Sequence, residues 1–282
     1  MSARFALVTD TTADLPPELI KQHNLYMIPQ IIVWGRESLR EGIDIDAPTF
    51  YSRLATATEM PTTSRPVPSD TVDLLKRAVE ETGADSVVVL AVSKDVSGTV
   101  SSVEQAMKEV DFPVHLVDTR TISLALGMTV LKIAELRDAG ATAKEATLAA
   151  QEIAARSHAI FTPSTLEFLR RGGRIGNARH LIGTALSIKP ILTLRDGKVE
   201  ALESVRTRKR ALKRMIELTG EMIDPNKPLW LGVGQANVPD EEAEVVAELE
   251  RLYKPERMIH GWIGASIGVH AGPGVLGIMM VQ

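Results

Sequence analysis

Short apolar runs alternate with longer amphipathic stretches through the first part of the chain. Phe5–Thr9 reads as a buried strand. It feeds Asp10–Asp14 and then Leu15-Pro16-Pro17-Glu18, a helix entry with proline tolerated in the first turn. Leu25–Trp34 is a second apolar run, rich in β-branched residues. A helix is expected over Thr49–Thr58, followed by a proline-rich connecting loop, Pro61–Pro68. Ser69 or Asp70 would then cap a helix over Thr71–Thr82. Ser86–Val92 is a continuous apolar strand, Ser93–Ser97 a loop, and a helix starts near Gly98. Val114–Val117 is a further strand before helices Ile122–Ala139 and Ala143–Ser157. Short buried strands alternating with helices predict a parallel, doubly wound sheet.

The pattern changes near His158. A short strand over Ala159–Thr162 and a short helix over Ser164–Arg171 lead to a glycine-rich turn, Gly172–Gly176. Pro190–Leu194 and Val199–Val205 flank Asp196-Gly197, a strong hairpin signal. Helices over Lys209–Met222 and Asp240–Tyr253 alternate with strands over Leu229–Gly234 and Val275–Val281. The expected class is α/β: an N-terminal parallel doubly wound domain over residues 1–157 and a smaller mixed α/β domain over 158–282.

At 282 residues the chain is long for one core. The hydrophobic share of 44% and charged share of 24% are those of an ordinary globular chain. A net charge of −4 with mixed signs argues against a nucleic-acid surface, apart from the basic stretch Arg206–Arg214. The absence of cysteine removes disulfides, thiolate zinc sites and thiol nucleophiles. Neither a leader segment nor a membrane span is read, so cytoplasm is the expected compartment.

Two motifs promise chemistry and fail. Gly264-Ala265-Ser266-Ile267-Gly268 fits a nucleophile elbow, but no carboxylate side chain follows Ser266, so the chain order of a hydrolase triad is missing. Gly272-Pro273-Gly274-Val275-Leu276-Gly277 fits a dinucleotide fingerprint, yet the chain has no room for the helix and acidic residue that must follow. There is no P-loop, and the six histidines show no ligand spacing, so no metal or nucleotide cofactor is expected.

What remains is a set of polar loop tips. Ligands of open α/β sheets bind beyond the carboxyl ends of the strands. Ser97-Gly98-Thr99 stands at a helix start, where free N–H groups favour an anion. Thr62-Thr63-Ser64 lies between prolines that stiffen its loop. Taken alone, each is explained more economically as a helix cap or a turn. Arg206 and His270 are the candidate cations for a carboxylate. Arg206 also fits a solvated basic face, and a lone histidine fits a structural role.

Several segments together resemble the DegV family, bacterial fatty-acid-binding proteins that include the FakB subunits of fatty acid kinase. They are Val8–Pro16, Thr63-Ser64-Arg65-Pro66, Ser93–Thr99, Leu166–Ile175, Lys189–Leu192, Val205-Arg206-Thr207 and Gly268–Gly274, in family order along the chain. Arg65 departs from the family pattern, which usually has Gln there. The resemblance implies a long-chain fatty acid such as palmitate in a tunnel between two domains. Its carboxylate would be held by Thr63 and Ser97, with Ser64 and Gly98 in the same loops and Arg206 and His270 nearby. It further implies a non-catalytic carrier that presents the acid to a separate ATP-dependent kinase subunit for acyl-phosphate formation, with at most transient membrane contact. The competing reading is a stand-alone acyl hydrolase or transferase using a loop serine.

Overall fold

The computed structural model describes residues 5–182 and 188–282. Met1–Arg4, part of the N-terminal reading above, lie outside the described residues. The first elements are β1 (Ala6–Asp10), α1 (Pro17–Gln22), β2 (Tyr26–Ile28), β3 (Ile31–Trp34), β4 (Glu37–Arg40) and α2 (Ala47–Ala55). Next come β5 (Thr62–Ser64), α3 (Pro68–Thr82), β6 (Val87–Ala91), α4 (Thr99–Ala106), β7 (Val114–Asp118), α5 (Leu124–Asp138) and α6 (Ala143–Ala155). Then follow β8 (His158–Thr162), α7 (Glu167–Arg171), β9 (Lys189–Arg195), β10 (Lys198–Val205) and α8 (Arg208–Met222). The last are β11 (Trp230–Gln235), α9 (Pro239–Tyr253), β12 (Arg257–Trp262), α10 (Ala265–Ala271) and β13 (Leu276–Val281).

β2, β1, β6 and β7 form a parallel sheet in that order. β10-β9-β8-β13-β11-β12 form a mixed sheet in which only β11 and β12 run parallel. The α/β class with a parallel sheet and a separate mixed sheet is as the patterning predicts. α5 explains how the sheets join. Its sequence is apolar on nearly every face, and Leu124, Met128 and Leu131 are fully buried. Such a helix needs cover on all sides. It packs in one cluster with Val88 and Leu90 of the parallel sheet and with Trp230 and Met279 of the mixed sheet. α3 and α4 cover the far face of the parallel sheet, and α8 and α9 the far face of the mixed one.

The β9–β10 hairpin turns at Asp196 and Gly197, with φ of 52° and 80°. Positive φ at both central residues is the turn that matches strand twist. The hairpin tip reaches across the molecule. Ser93 Oγ donates to Gly197 O at 2.8 Å, and the Arg120 guanidinium donates to Asp196 O at 2.7 Å.

Several local expectations change. Leu25–Trp34 splits: β2 joins the parallel sheet, and β3 joins a small antiparallel sheet of order β4-β3-β5. The Pro61–Pro68 loop contains an edge strand, because Thr62–Ser64 pair with Val33–Ile31. α3 starts at Pro68, whose ring suits the first turn, and no side chain caps it. α2 starts and ends earlier than Thr49–Thr58, since Asp46 caps it by accepting from Thr49 N. The helix expected over Ser164–Arg171 is only Glu167–Arg171. β4, β12 and α10 went unread, being short and weakly patterned.

Candidate functional site

The parallel sheet reverses its strand order between β1 and β6, the place where open α/β sheets bind ligands. A cavity opens there, against the inner face of the mixed sheet. Its atom-free space, with the open solvent at its mouth included, is about 1000 Å³. Its walls are aliphatic, with Val92, Ile122, Ile160, Leu194, Ile263 and Met279 among them. Its polar groups are confined to a few loop ends and to α10.

Thr63, Ser64, Ser97, Gly98 and His270 all line this cavity. β5 carries Thr63 and Ser64, and the entry to α4 carries Ser97 and Gly98. Thr63 Oγ1 lies 2.7 Å from His270 Nε2. Ser97 Oγ lies 2.9 Å from Thr99 Oγ1 and accepts from Thr99 N at 3.3 Å. Ser97 thus holds the turn into α4, whose N-cap is Gly98, and lines the cavity at once. Ser64 is exposed, at the rim. Gly98 packs so closely on Arg65 that a Cβ there would fall 2.9 Å from the Arg65 Cβ. The departure at Arg65 thus touches the Ser97 loop directly.

Arg206 is not brought to this cavity. It is exposed beyond the end of β10, where the mixed-sheet edge turns into α8. Arg174 lines the cavity instead. Its guanidinium donates to Val96 O at 3.0 Å and to Gly172 O at 2.6 Å, tying the Ser97 loop to the turn after α7.

His270 is a hydrogen-bonding group here, not a cation. Burial, aided by the Arg174 charge, pulls its pKa down to about 4. Its Nδ1 is buried without a partner, and a Cβ on Gly172 would fall 2.1 Å from that atom. A bare lone pair there costs less than an orphaned N–H, so the proton belongs on Nε2. Nε2–H then donates to Thr63 Oγ1, and the Thr63 proton is left for a ligand.

Gln30, Thr12, Ser123 and Ser266 also line the cavity; Gln30 carries no signal in the sequence, while Thr12 and Ser123 lie in loops at strand ends and Ser266 in the failed elbow. Three of these four spend their hydroxyl protons on buried carboxylates: Thr12 on Asp10 at 2.5 Å, Ser123 on Asp14 at 2.5 Å, and Ser266 on Glu41 at 2.7 Å. Burial pushes all three carboxyls up, Asp14 the furthest. Ser266 follows a strand and opens a helix, as an elbow would. Its backbone is absent from the positive-φ residues, however, and its hydroxyl is committed to Glu41. Among the described residues no group of three or more acidic or histidine side chains is placed to hold a metal ion. None of their helices is long and apolar enough to cross a membrane.

Fold and site define an α/β protein of two main sheets and a small third one, with a largely aliphatic cavity lined by a few hydroxyls. The chain belongs to the DegV family: the model for "uncharacterised protein, DegV family" matches residues 4–282. It is similar to a DegV domain-containing protein of Streptomyces coelicolor, 38% identical over 281 residues and covering 99% of each chain. It is likewise similar to protein DegV of Bacillus subtilis, 37% identical over 277 residues and 97% of each chain. A DegV family protein from Thermus thermophilus, described for its fatty acid binding, superposes with a TM-score of 0.92 at 35% identity over 99% of each chain. The Bacillus subtilis DegV structure, described as a fatty acid binding protein, gives 0.90 at 35% identity over 99% of each chain. The resemblance drawn from the seven segments is thus shown.

Proposed function

We propose that this protein binds a long-chain fatty acid in the cavity between residues 1–157 and 158–282. It then presents the carboxylate to a separate ATP-dependent kinase, which forms the acyl phosphate. The observation that carries the reading is a largely aliphatic cavity whose lining includes the Thr63 and Ser97 hydroxyls. Each buried acyl CH₂ contributes ~0.8 kcal/mol, so the chain supplies affinity and the hydroxyls supply orientation. A buried carboxylate needs several donors. Thr63, Ser97 and the half-buried Arg174 are the groups we assign to it. Two solved relatives described as binding fatty acids support the ligand class. The kinase would bring ATP, and this chain would need no cofactor of its own. Exposed Arg206, Lys209 and Arg210 are the face we assign to that partner. We place the carrier in the cytoplasm.

Native mass spectrometry of the purified protein tests the reading. The expected result is a co-purified acid of fatty-acid mass, released on mild denaturation. A protein that is repeatedly empty and takes up no added palmitate would overturn it.

A further inference from the structure

Gln30 lies between β2 and β3 in the cavity wall and is 3% exposed. Its side-chain amide nitrogen donates to Asp10 Oδ1 at 3.2 Å and to Thr99 Oγ1 at 2.7 Å. Asp10 settles the amide's orientation. Its carboxylate also receives Thr12 N and Thr12 Oγ1 on Oδ1, and Val92 N on Oδ2 at 2.9 Å. A group so surrounded by donors acts as an acceptor, and the NH₂ end of Gln30 must face it.

The second amide proton goes to Thr99 Oγ1, which is fully buried. The Thr99 and Ser97 hydroxyls lie 2.9 Å apart and either could donate; because Thr99 Oγ1 already accepts from Gln30, we read Thr99 as the donor. Ser97 Oγ also receives Thr99 N at 3.3 Å. With both donors aimed at its oxygen, Ser97 turns its proton outward into the cavity. Successive hydrogen bonds polarise one another, so the direction is passed along the chain.

We infer that Gln30 is a positioning residue: through Thr99 it holds Ser97 as a donor toward the cavity, and so selects a carboxylate head group over an alcohol. This rests on the fatty-acid reading above. A carboxylate has only acceptors to offer and suits outward protons. An alcohol brings a proton of its own that finds no acceptor there. Reversing the chain would present a lone pair at Ser97, repelling the acid and satisfying the alcohol.

The test measures the affinities of palmitate and hexadecanol for the full chain, wild type against Gln30→Glu. The replacement is isosteric and offers acceptors where the amide offers donors. The acid-to-alcohol affinity ratio is expected to fall tenfold or more, on the order of one hydrogen bond to a charged group. A through-space effect of the new charge is separated by adding Thr99→Val, which cuts the relay. The Gln30→Glu effect on the ratio should then largely vanish. An unchanged ratio in the single variant, or a full effect surviving in the double variant, overturns the inference. If Gln30→Glu does not fold, Thr99→Val alone must lower acid affinity several-fold and leave alcohol affinity in place. An equal loss of both, or of neither, overturns it. A wild-type chain that binds neither ligand fails the fatty-acid reading itself, and the inference with it.

Discussion

Thr63 Oγ1 and His270 Nε2 lie 2.7 Å apart although 207 residues separate them. One belongs to an edge strand of the small antiparallel sheet, the other to the last turn of α10. Both line the cavity, and their contact is one of several hydrogen bonds that join the two halves of the chain.

Replacing Thr63 with Val or Ser97 with Ala removes a hydroxyl that faces the carboxylate in our reading. Each change is expected to weaken fatty-acid binding about 10- to 100-fold, the worth of a hydrogen bond to a charged group. Both residues are only partly buried, so the thermal midpoint should move little. Titration calorimetry alongside thermal melts checks both parts, and intact affinity in both variants removes the site assignment.

The depressed pKa of His270 carries a stability prediction with a definite sign. The folded value is about 4 against the usual 6.5. Between these values the unfolded chain binds the proton and the folded one does not. Stability from this group is therefore full above pH 6.5 and is lost as pH falls toward 4, by up to ~3 kcal/mol. Raised carboxyls at Asp10, Asp14 and Glu41 act in the opposite sense. The His270→Gln variant isolates the histidine contribution: its urea midpoint should fall less than wild type between pH 7 and pH 4.5. Parallel curves would show that the imidazole titrates normally.

Gly172→Ala should disturb the site without touching a cavity hydroxyl. The backbone there has φ −74°, which any residue adopts. The new Cβ would nevertheless sit 2.1 Å from His270 Nδ1. Overpacking of this kind costs ~1–3 kcal/mol, and the imidazole must leave Thr63 to relieve it. Fatty-acid affinity should fall together with the melting temperature. A variant with wild-type affinity would mean the histidine contact is dispensable.

Glu41→Gln is expected to be neutral or mildly stabilising at pH 8. Burial raises the Glu41 pKa, so its contribution to stability is lost as pH rises through the folded value. Its partners are two hydroxyls that can turn and one N–H, Ser266 N at 2.9 Å, that an amide oxygen can still accept. A loss well above ~1 kcal/mol in chemical denaturation would show that the ionised form is worth more than its burial costs.

Arg206→Ala should leave fatty-acid affinity unchanged, because the residue is exposed and does not line the cavity. If the proposed kinase docks on this face, phosphorylation of the bound acid should slow. Weakened binding of the free acid would return Arg206 to the head-group site.

Much of the architecture was legible from periodicity. The continuous apolar runs at Phe5–Thr9 and Ser86–Val92 and the Asp196-Gly197 turn carry their own conformational signals, since burial on two faces and positive φ are local demands. Thr63, Ser97 and His270 were legible as candidates through the family order of their motifs. That they belong to one site was implied by the resemblance alone; nothing local to the residues says so, because the Thr63–His270 contact spans 207 residues. Arg206 looked like an anchor from its position after a strand, yet it is exposed; Arg174, in a glycine-rich turn, and Arg65 line the cavity instead. Gln30 had no local signal at all, since its role depends on Asp10 at the end of β1 and Thr99 at the start of α4. Sequence alone determined the elements, the turn chemistry and the family, because these rest on neighbours a few residues apart. Only the tertiary structure decided which groups line the cavity and that burial pulls the His270 pKa down, because both depend on residues far apart in the chain.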